Sequence, residues 1–208
     1  MNPTRLNLGC GPHAIPGWVN VDRSPNMFLD RVRPLKRALR RAGVLSDVHM
    51  VEWSREILMH DLRKPLPYAD GTVDAIYSSH ALEHLYLSDA TALLRDCHRV
   101  LRAGAHLRLA LPDAEAIAAS TLGEAPDGLA FNRQLNSHPL VRETGLAKLR
   151  SLLGASQHRW QPTEDLVARL LAESGFVDIR RCTFRDGDMD DLDVIELREE
   201  SLFLEATA

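Results

Sequence analysis

The chain has no apolar run approaching the length of a bilayer-crossing helix, so no transmembrane segment is expected. Cysteine is scarce: Cys10, Cys97 and Cys182 lie far apart, with no Cys-x-x-Cys spacing. That argues against a disulfide framework or a thiolate zinc site and points to a reducing, cytoplasmic setting. There is no basic excess, since 25 Lys and Arg face 29 Asp and Glu for a net charge of -4, so nucleic acid is not the default partner. Internal repeats and low-complexity tracts are missing. Met1–Arg5 leads straight into the first apolar run, with no room for a secretory h-region. These absences leave an ordinary globular composition, 45% hydrophobic and 26% charged, in 208 residues. That length suffices for one domain with a sizeable core.

Short apolar runs of β character recur at Arg5–Leu8, Trp18–Val21, Ile57–His60, Val73–Ser78, His106–Leu111, Val177–Phe184 and Ser201–Ala206. Helical patterns lie between them. From about Asp89 to Leu101, residues Leu93, Leu94, Cys97, Val100 and Leu101 share one face, with Ser88 as the expected cap. From about Glu164 to Ser174, Thr163 supplies the cap, acids fill the first turn and Gly175 is the stop. Strands alternating with helices predict an α/β fold with a mostly parallel sheet.

Two stretches stand apart. Arg31–Arg41 holds six basic residues and no acid, with Val32, Leu35, Leu39 and Ala42 at helical spacing. It reads either as an anion-binding or membrane-surface helix, or as a solvated helix whose apolar stripe packs on the body. Asp186–Glu200 has eight acids and one base. A solvated loop before the last strand is expected there, available as a charge partner for the basic helix. It lacks the central glycine and terminal glutamate of a calcium loop.

The first run ends in a glycine turn, Leu6-Asn7-Leu8-Gly9-Cys10-Gly11, and the second closes on an acid in Asn20-Val21-Asp22. Glycines let backbone approach a ligand, and a carboxylate at a neighbouring strand end can grip a ribose diol. Further blocks follow in order: His60-Asp61-Leu62-Arg63-Lys64-Pro65-Leu66-Pro67-Tyr68, then Asp70 to Ser79 leading into His80-Ala81-Leu82-Glu83-His84, then His98 to Gly104. With these blocks the chain from Leu6 to Pro112 resembles the class I methyltransferases that use S-adenosylmethionine, in particular the type 11 group. The resemblance implies a doubly wound Rossmann-like fold. Its seven-stranded, mostly parallel sheet would have the order 3-2-1-4-5-7-6 and an antiparallel last strand. It also implies a single domain over 1–208, with a basic helical insertion at about 24–56 and a helical cap over the acceptor site at about 114–162.

Carried over by position, the resemblance implies that Leu8, Gly9 and Gly11 pass under the methionine part of S-adenosylmethionine. Asp22 would hydrogen-bond the ribose hydroxyls, Asp61 would accept from the adenine amine, and the Leu62 N–H would donate to the adenine ring. Ser79 and His80 would lie beside the sulfonium. Two departures from the family pattern stand out. Asn7 replaces the usual acid before the turn, and Asp22 follows Gly9 by only thirteen residues. Pro12 to Trp18, with two prolines and a glycine, cannot hold a normal first helix.

On the acceptor side, Asp113, Arg159 and Trp160 are expected to bind substrate, and His80 or His158 to serve as base if the acceptor is a hydroxyl. His13 and His138 are weaker candidates, and Trp53 is expected to pack the insertion. His80-Ala81-Leu82-Glu83-His84 also spells an inverted zinc-peptidase motif. It follows a strand directly, however, and no third ligand is evident in the sequence, so no metal is expected. The anticipated acceptor is a small molecule or saccharide, because the chain lacks an added RNA-binding module and an Asn-Pro-Pro-Tyr motif. The Arg31–Arg41 stretch leaves an anionic or lipid-linked acceptor open. The rivals are a non-catalytic cofactor binder acting through a partner protein, a zinc hydrolase built on His80, Glu83 and His84, and a nicotinamide-dependent reductase. The last lacks a lysine four residues after Tyr68, Tyr77 or Tyr86.

Overall fold

The computed structural model describes residues 3–12, 14–123, 125–137, 140, 145 and 157–208. One sheet is built from β1 (Arg5–Leu8), β2 (Val19–Asp22), β3 (Leu58–Met59), β4 (Val73–Ser79), β5 (Leu101–Pro112), β6 (Val177–Cys182) and β7 (Ser201–Thr207). Its order is β3-β2-β1-β4-β5-β7-β6. Pairing is parallel from β3 through to β5, whereas β7 runs antiparallel to both β5 and β6. This is the implied doubly wound sheet. All the expected strands are present, and β5 begins earlier than the apolar run because Leu101 already pairs with Val73.

Helices α1 (Pro25–Arg31) and α2 (Arg33–Arg41) lie between β2 and β3, and α3 (Leu87–Val100) joins β4 to β5. After β5 come α4 (Ala114–Leu122), α5 (Gly128–Leu135) and α6 (Glu164–Glu173), and the short α7 (Leu192–Ile195) precedes β7. One face of the sheet packs Leu6, Leu8 and Leu107 against Leu93, Leu94 and Cys97 of α3 and Val167 and Leu171 of α6. The Thr163 cap forms as expected, accepting from the Leu166 N–H. The Ser88 cap does not. Helix α3 starts two residues early with Tyr86 as its capping residue, because the Ala90 N–H already reaches the Tyr86 carbonyl.

The acidic segment is not simply a solvated loop. Met189, Leu192 and Ile195 bury against Trp18, Tyr77, Ala110 and Phe203 on the other sheet face. Its charges do not meet α2 among the described residues. Arg5 pairs with Asp190 and Asp191, and Arg180 with Asp188. Most of the segment is organised by Arg108, which is fully buried in β5. Its Nε donates to Glu196 at 2.8 Å, Nη1 to the Asp186 carbonyl at 3.0 Å and Nη2 to the Thr183 carbonyl at 2.9 Å.

The basic insertion also departs from expectation. It breaks at Val32 into two helices, and Val32 and Leu35 are exposed while Lys36 is buried. Lys36 Nζ donates to Asp30 and to the Val51 carbonyl, each at 2.8 Å. A paired ammonium faces the body where an apolar stripe was expected, because Asp30 is buried there and needs a counter-charge. Of the stretch 114–162, expected to cap the acceptor site, the structure describes α4, α5 and the residues from 157 onward. Within it, the Ala114 N–H donates to the Pro162 carbonyl at 3.1 Å.

Glu205 is buried between Arg180 and Arg108. Burial raises its pKa, but N–H groups of Asp188 and Met189 and the two arginines outweigh that and hold it below its ordinary value. A lowered folded-state pKa adds stability at neutral pH that is lost as pH falls through the folded value. Arg108→Leu strands Glu196 without its buried counter-charge and removes the second of the two arginines beside Glu205. It should cost about 3–5 kcal/mol in chemical unfolding at pH 7, the scale for breaking a buried pair. The deficit should shrink on acidification below about pH 4, where an unshifted carboxylate takes up its proton.

Candidate active site

A cavity of about 700 Å3 opens at the carboxyl ends of β1, β2 and β4. This is where ligands sit in doubly wound sheets. The turn after β1 forms one wall. Gly9 and Gly11 have φ of +73° and +67°, in the left-handed region that glycine tolerates. A Cβ at Gly9 would lie 2.4 Å from the Ala81 Cβ, whereas one at Gly11 would meet nothing within 4 Å. Thus Gly9 lets the turn pack on the loop after β4, and Gly11 presents bare backbone to the cavity.

The link from this turn to β2 needs another source of order, because no helix forms there among the described residues. Asn20 supplies it. Its Oδ1 accepts from the Ile15 N–H at 3.0 Å and from Asn7 Nδ2 at 2.9 Å. Its Nδ2 donates to the carbonyls of Ile15 and Trp18, both at 2.9 Å. Asn7, which stands where the family carries an acid, is therefore part of the brace that holds the short link. Asp22 completes it: Oδ2 accepts from the Gly11 N–H at 3.0 Å and Oδ1 from the Ser24 N–H at 2.7 Å. Burial pushes the Asp22 pKa up, with partial relief from the N–H groups of Gly11, Ser24 and Arg23. Its remaining lone pairs face the cavity that it lines.

Asp61 and Leu62 line the same wall. Both Asp61 oxygens are held by the Arg63 guanidinium at 2.8 Å, and Arg23 pairs with one of them. Arg63 is the main cause of a carboxyl pKa well below the usual range. Leu8 is buried in the core beneath the turn, and the Ser78 hydroxyl donates to its carbonyl at 3.0 Å.

Ser79 and His80 stand at the other end of the cavity. His80 has φ of +49°, and its N–H donates to the Ala110 carbonyl at 2.9 Å. Its Nε2 lies 3.0 Å from the Ser201 hydroxyl and its Nδ1 3.4 Å from Glu83 Oε1. Arg159 lines the cavity with its guanidinium 4.2 Å from the Tyr86 ring centroid, a cation–π contact. His158 does not line the cavity. Its ring faces Glu83, and burial lowers its pKa while the Glu83 charge opposes that.

Two expected substrate contacts are taken up elsewhere. Asp113 is buried, caps α4 by accepting from the Ala116 N–H at 2.9 Å, and pairs with Arg181 at 2.7 Å. Trp160 packs on the main core, away from the cavity lining. Trp53, expected in the insertion's packing, instead lines the cavity. His13 and His138 lie outside the described residues. The sequence reading missed Tyr77 and Arg198, both cavity residues. Tyr77 shares a strand face with Ser79, a period-two signal that could have found it. Its hydroxyl pKa is pushed up to about 12, chiefly by burial. Arg198 carried no signal except as the lone base of the acidic segment.

Residues 6–109 match the family model described as "Methyltransferase domain". No curated protein sequence matches significantly. The fold is similar to an S-adenosylmethionine-dependent methyltransferase from Mesorhizobium loti at 20% identity and a TM-score of 0.51, covering 100% of this chain and 91% of that one. It is also similar to a SAM-dependent methyltransferase from Archaeoglobus fulgidus at 12% identity, a TM-score of 0.51 and coverage of 100% and 87%. A third match is PigF with SAH, at 14% identity and a TM-score of 0.47; 99% of this chain is covered, but it spans only 50% of the PigF chain.

The two glycines should respond differently to a methyl group. Gly9→Ala combines left-handed strain with the clash against Ala81, and should destabilise by about 2–4 kcal/mol in thermal unfolding. Gly11→Ala should cost only the strain, about 1–2 kcal/mol.

Proposed function

The chain belongs to the methyltransferase-domain family and uses S-adenosylmethionine, and from that premise we propose that it methylates an oxygen or nitrogen nucleophile of a small molecule or saccharide by direct displacement. The observation that carries this reading is one cavity with a ribose-type anchor, Asp22 behind a bare glycine turn, at one end and His80 at the other. These residues fit the cofactor. Gly11 leaves open space over its backbone, and Asp22 keeps acceptor capacity for a diol. When bound, S-adenosylmethionine supplies an electrophilic methyl on a sulfonium.

The protein's contribution is alignment and exclusion of water. Asp22 holds the ribose, Asp61 and Leu62 the adenine, and the Gly9–Gly11 turn the methionine end. On the acceptor side, Arg159 and Arg198 set two guanidinium groups beside the cavity, which suits an acceptor bearing a carboxylate or phosphate. For a hydroxyl acceptor, His80 takes the proton at a ring nitrogen, held in place by Ser201 and Glu83. His158, expected as an alternative base, is turned away from the cavity, so the role falls to His80. An amine acceptor arrives neutral and needs no base.

Asp22→Ala should weaken S-adenosylhomocysteine binding by about 1–3 kcal/mol in calorimetry, the scale for losing a charged hydrogen-bond partner. Asp22→Asn, which keeps one acceptor oxygen, should lose less. Unchanged affinity in a folded Ala variant refutes the ribose anchor. Incubation with S-adenosylmethionine and acceptor panels should release S-adenosylhomocysteine with a hydroxyl or amine acceptor. His80→Ala should cut turnover on a hydroxyl acceptor about 100- to 10,000-fold, with a far smaller change in cofactor affinity. Cofactor binding without transfer across a broad panel would favour the non-catalytic reading.

A further inference from the structure

Behind the acceptor end of the cavity lies a cluster whose two histidines, His84 and His158, take no part in the proposed transfer. Glu83 sits in a one-turn 3-10 helix, Leu82–His84, directly after β4, and its side chain is completely buried. Neither of its oxygens accepts a hydrogen bond from the described residues. Around Oε1 stand His80 Nδ1 at 3.4 Å and His84 Nε2 and His158 Nε2 at 3.9 Å each. One ligand atom from each of Glu83, His84 and His158 lies within 4.8 Å of the others.

A buried carboxylate without donors is costly, and the ring beside it deepens the problem. His84 Nδ1 faces the Gln157 carbonyl at 3.3 Å, and a carbonyl only accepts. In the neutral ring the proton therefore sits on Nδ1, and Nε2 aims a lone pair at the carboxylate. His158 Nε2 faces the same oxygen, and the ring also contacts the Leu135 backbone. Two imidazole nitrogens and one carboxylate, all electron-rich and converging, are what a divalent metal ion requires. His80 stays outside the set, because its ring nitrogens do not converge with those of His84 and His158.

We propose that Glu83, His84 and His158 bind a divalent transition-metal ion of the zinc class. Two imidazoles with a single carboxylate suit zinc, cobalt or iron better than calcium or magnesium, which prefer all-oxygen shells. The sequence pattern supplied Glu83 and His84 but no third ligand; the fold brings in His158 from seventy-four residues away. The ion ties the chain around His158 to the turn after β4. The Arg159 N–H donating to the Glu83 carbonyl at 2.8 Å already holds the backbones there. Because His84 also lines the cavity, the ion lies at the acceptor-side wall.

The full chain, stripped with a chelator and dialysed, should bind a single equivalent of Zn2+ in calorimetry. Loaded with Co2+, it should show visible ligand-field absorption. His158→Ala and Glu83→Gln should each weaken Zn2+ binding by more than about tenfold, a loss typical even of residues that only support a ligand. They should leave S-adenosylhomocysteine affinity near that of the parent, which also reports that the variants are folded. His106→Ala, remote from the cluster, should bind Zn2+ as the parent does. If Glu83→Gln fails to fold, His158→Ala carries the test alone. Absence of Zn2+ binding by the parent overturns the site, as does binding undiminished in His158→Ala. Failure of the methyl-transfer reading would show separately, as lost cofactor binding or absent transfer with the metal result unchanged.

Discussion

Two side chains at the end of β2 hold the part of the molecule on which the site depends. Asn20 and Asp22 together make hydrogen bonds to the backbone of Gly11, Ile15, Trp18 and Ser24 and to the Asn7 amide. A helix normally orders this connection by its own backbone ladder. Here a proline-broken link has no such ladder, and polar side chains reaching from the sheet replace it. The arrangement fixes the glycine turn and the carboxylate as one unit. It also accounts for Asn7: an acid at this position would repel Asn20 Oδ1, whereas an amide can donate to it.

The sheet was legible in the chain because its strands are short apolar runs bounded by Gly, Pro and Asp. The order of those strands came from the family resemblance rather than from periodicity. Legibility failed where one residue has two physically reasonable employers. Asp113 follows β5 and could face a ligand, but it caps α4 and pairs with Arg181. Trp160 could stack on an acceptor, but the core takes it. Lys36 shows the reverse error. Charge on a helix reads as solvated, yet a buried Asp30 draws it inward and leaves Val32 and Leu35 outside. Such choices depend on tertiary neighbours that local pattern does not encode.

The far wall of the cavity illustrates how an ionic core can shape a distant surface. Arg108 in β5 gathers Glu196 and the carbonyls of Thr183 and Asp186 beneath the sheet. That fixes the path of the acidic segment, whose next residues, Leu197 and Arg198, enter the cavity lining. An acid-rich stretch that would otherwise repel itself is thereby made to deliver a cation to the cavity wall.

His80 carries a different lesson. A non-glycine residue at φ of +49° gives up about 1 kcal/mol of backbone energy. It is kept there by the Ala110 carbonyl on one side and the Ser201 hydroxyl on the other. Glycine would relax that conformation but lose the ring that reaches between Ser201 and Glu83. Backbone ease and side-chain contact therefore pull this position in opposite directions.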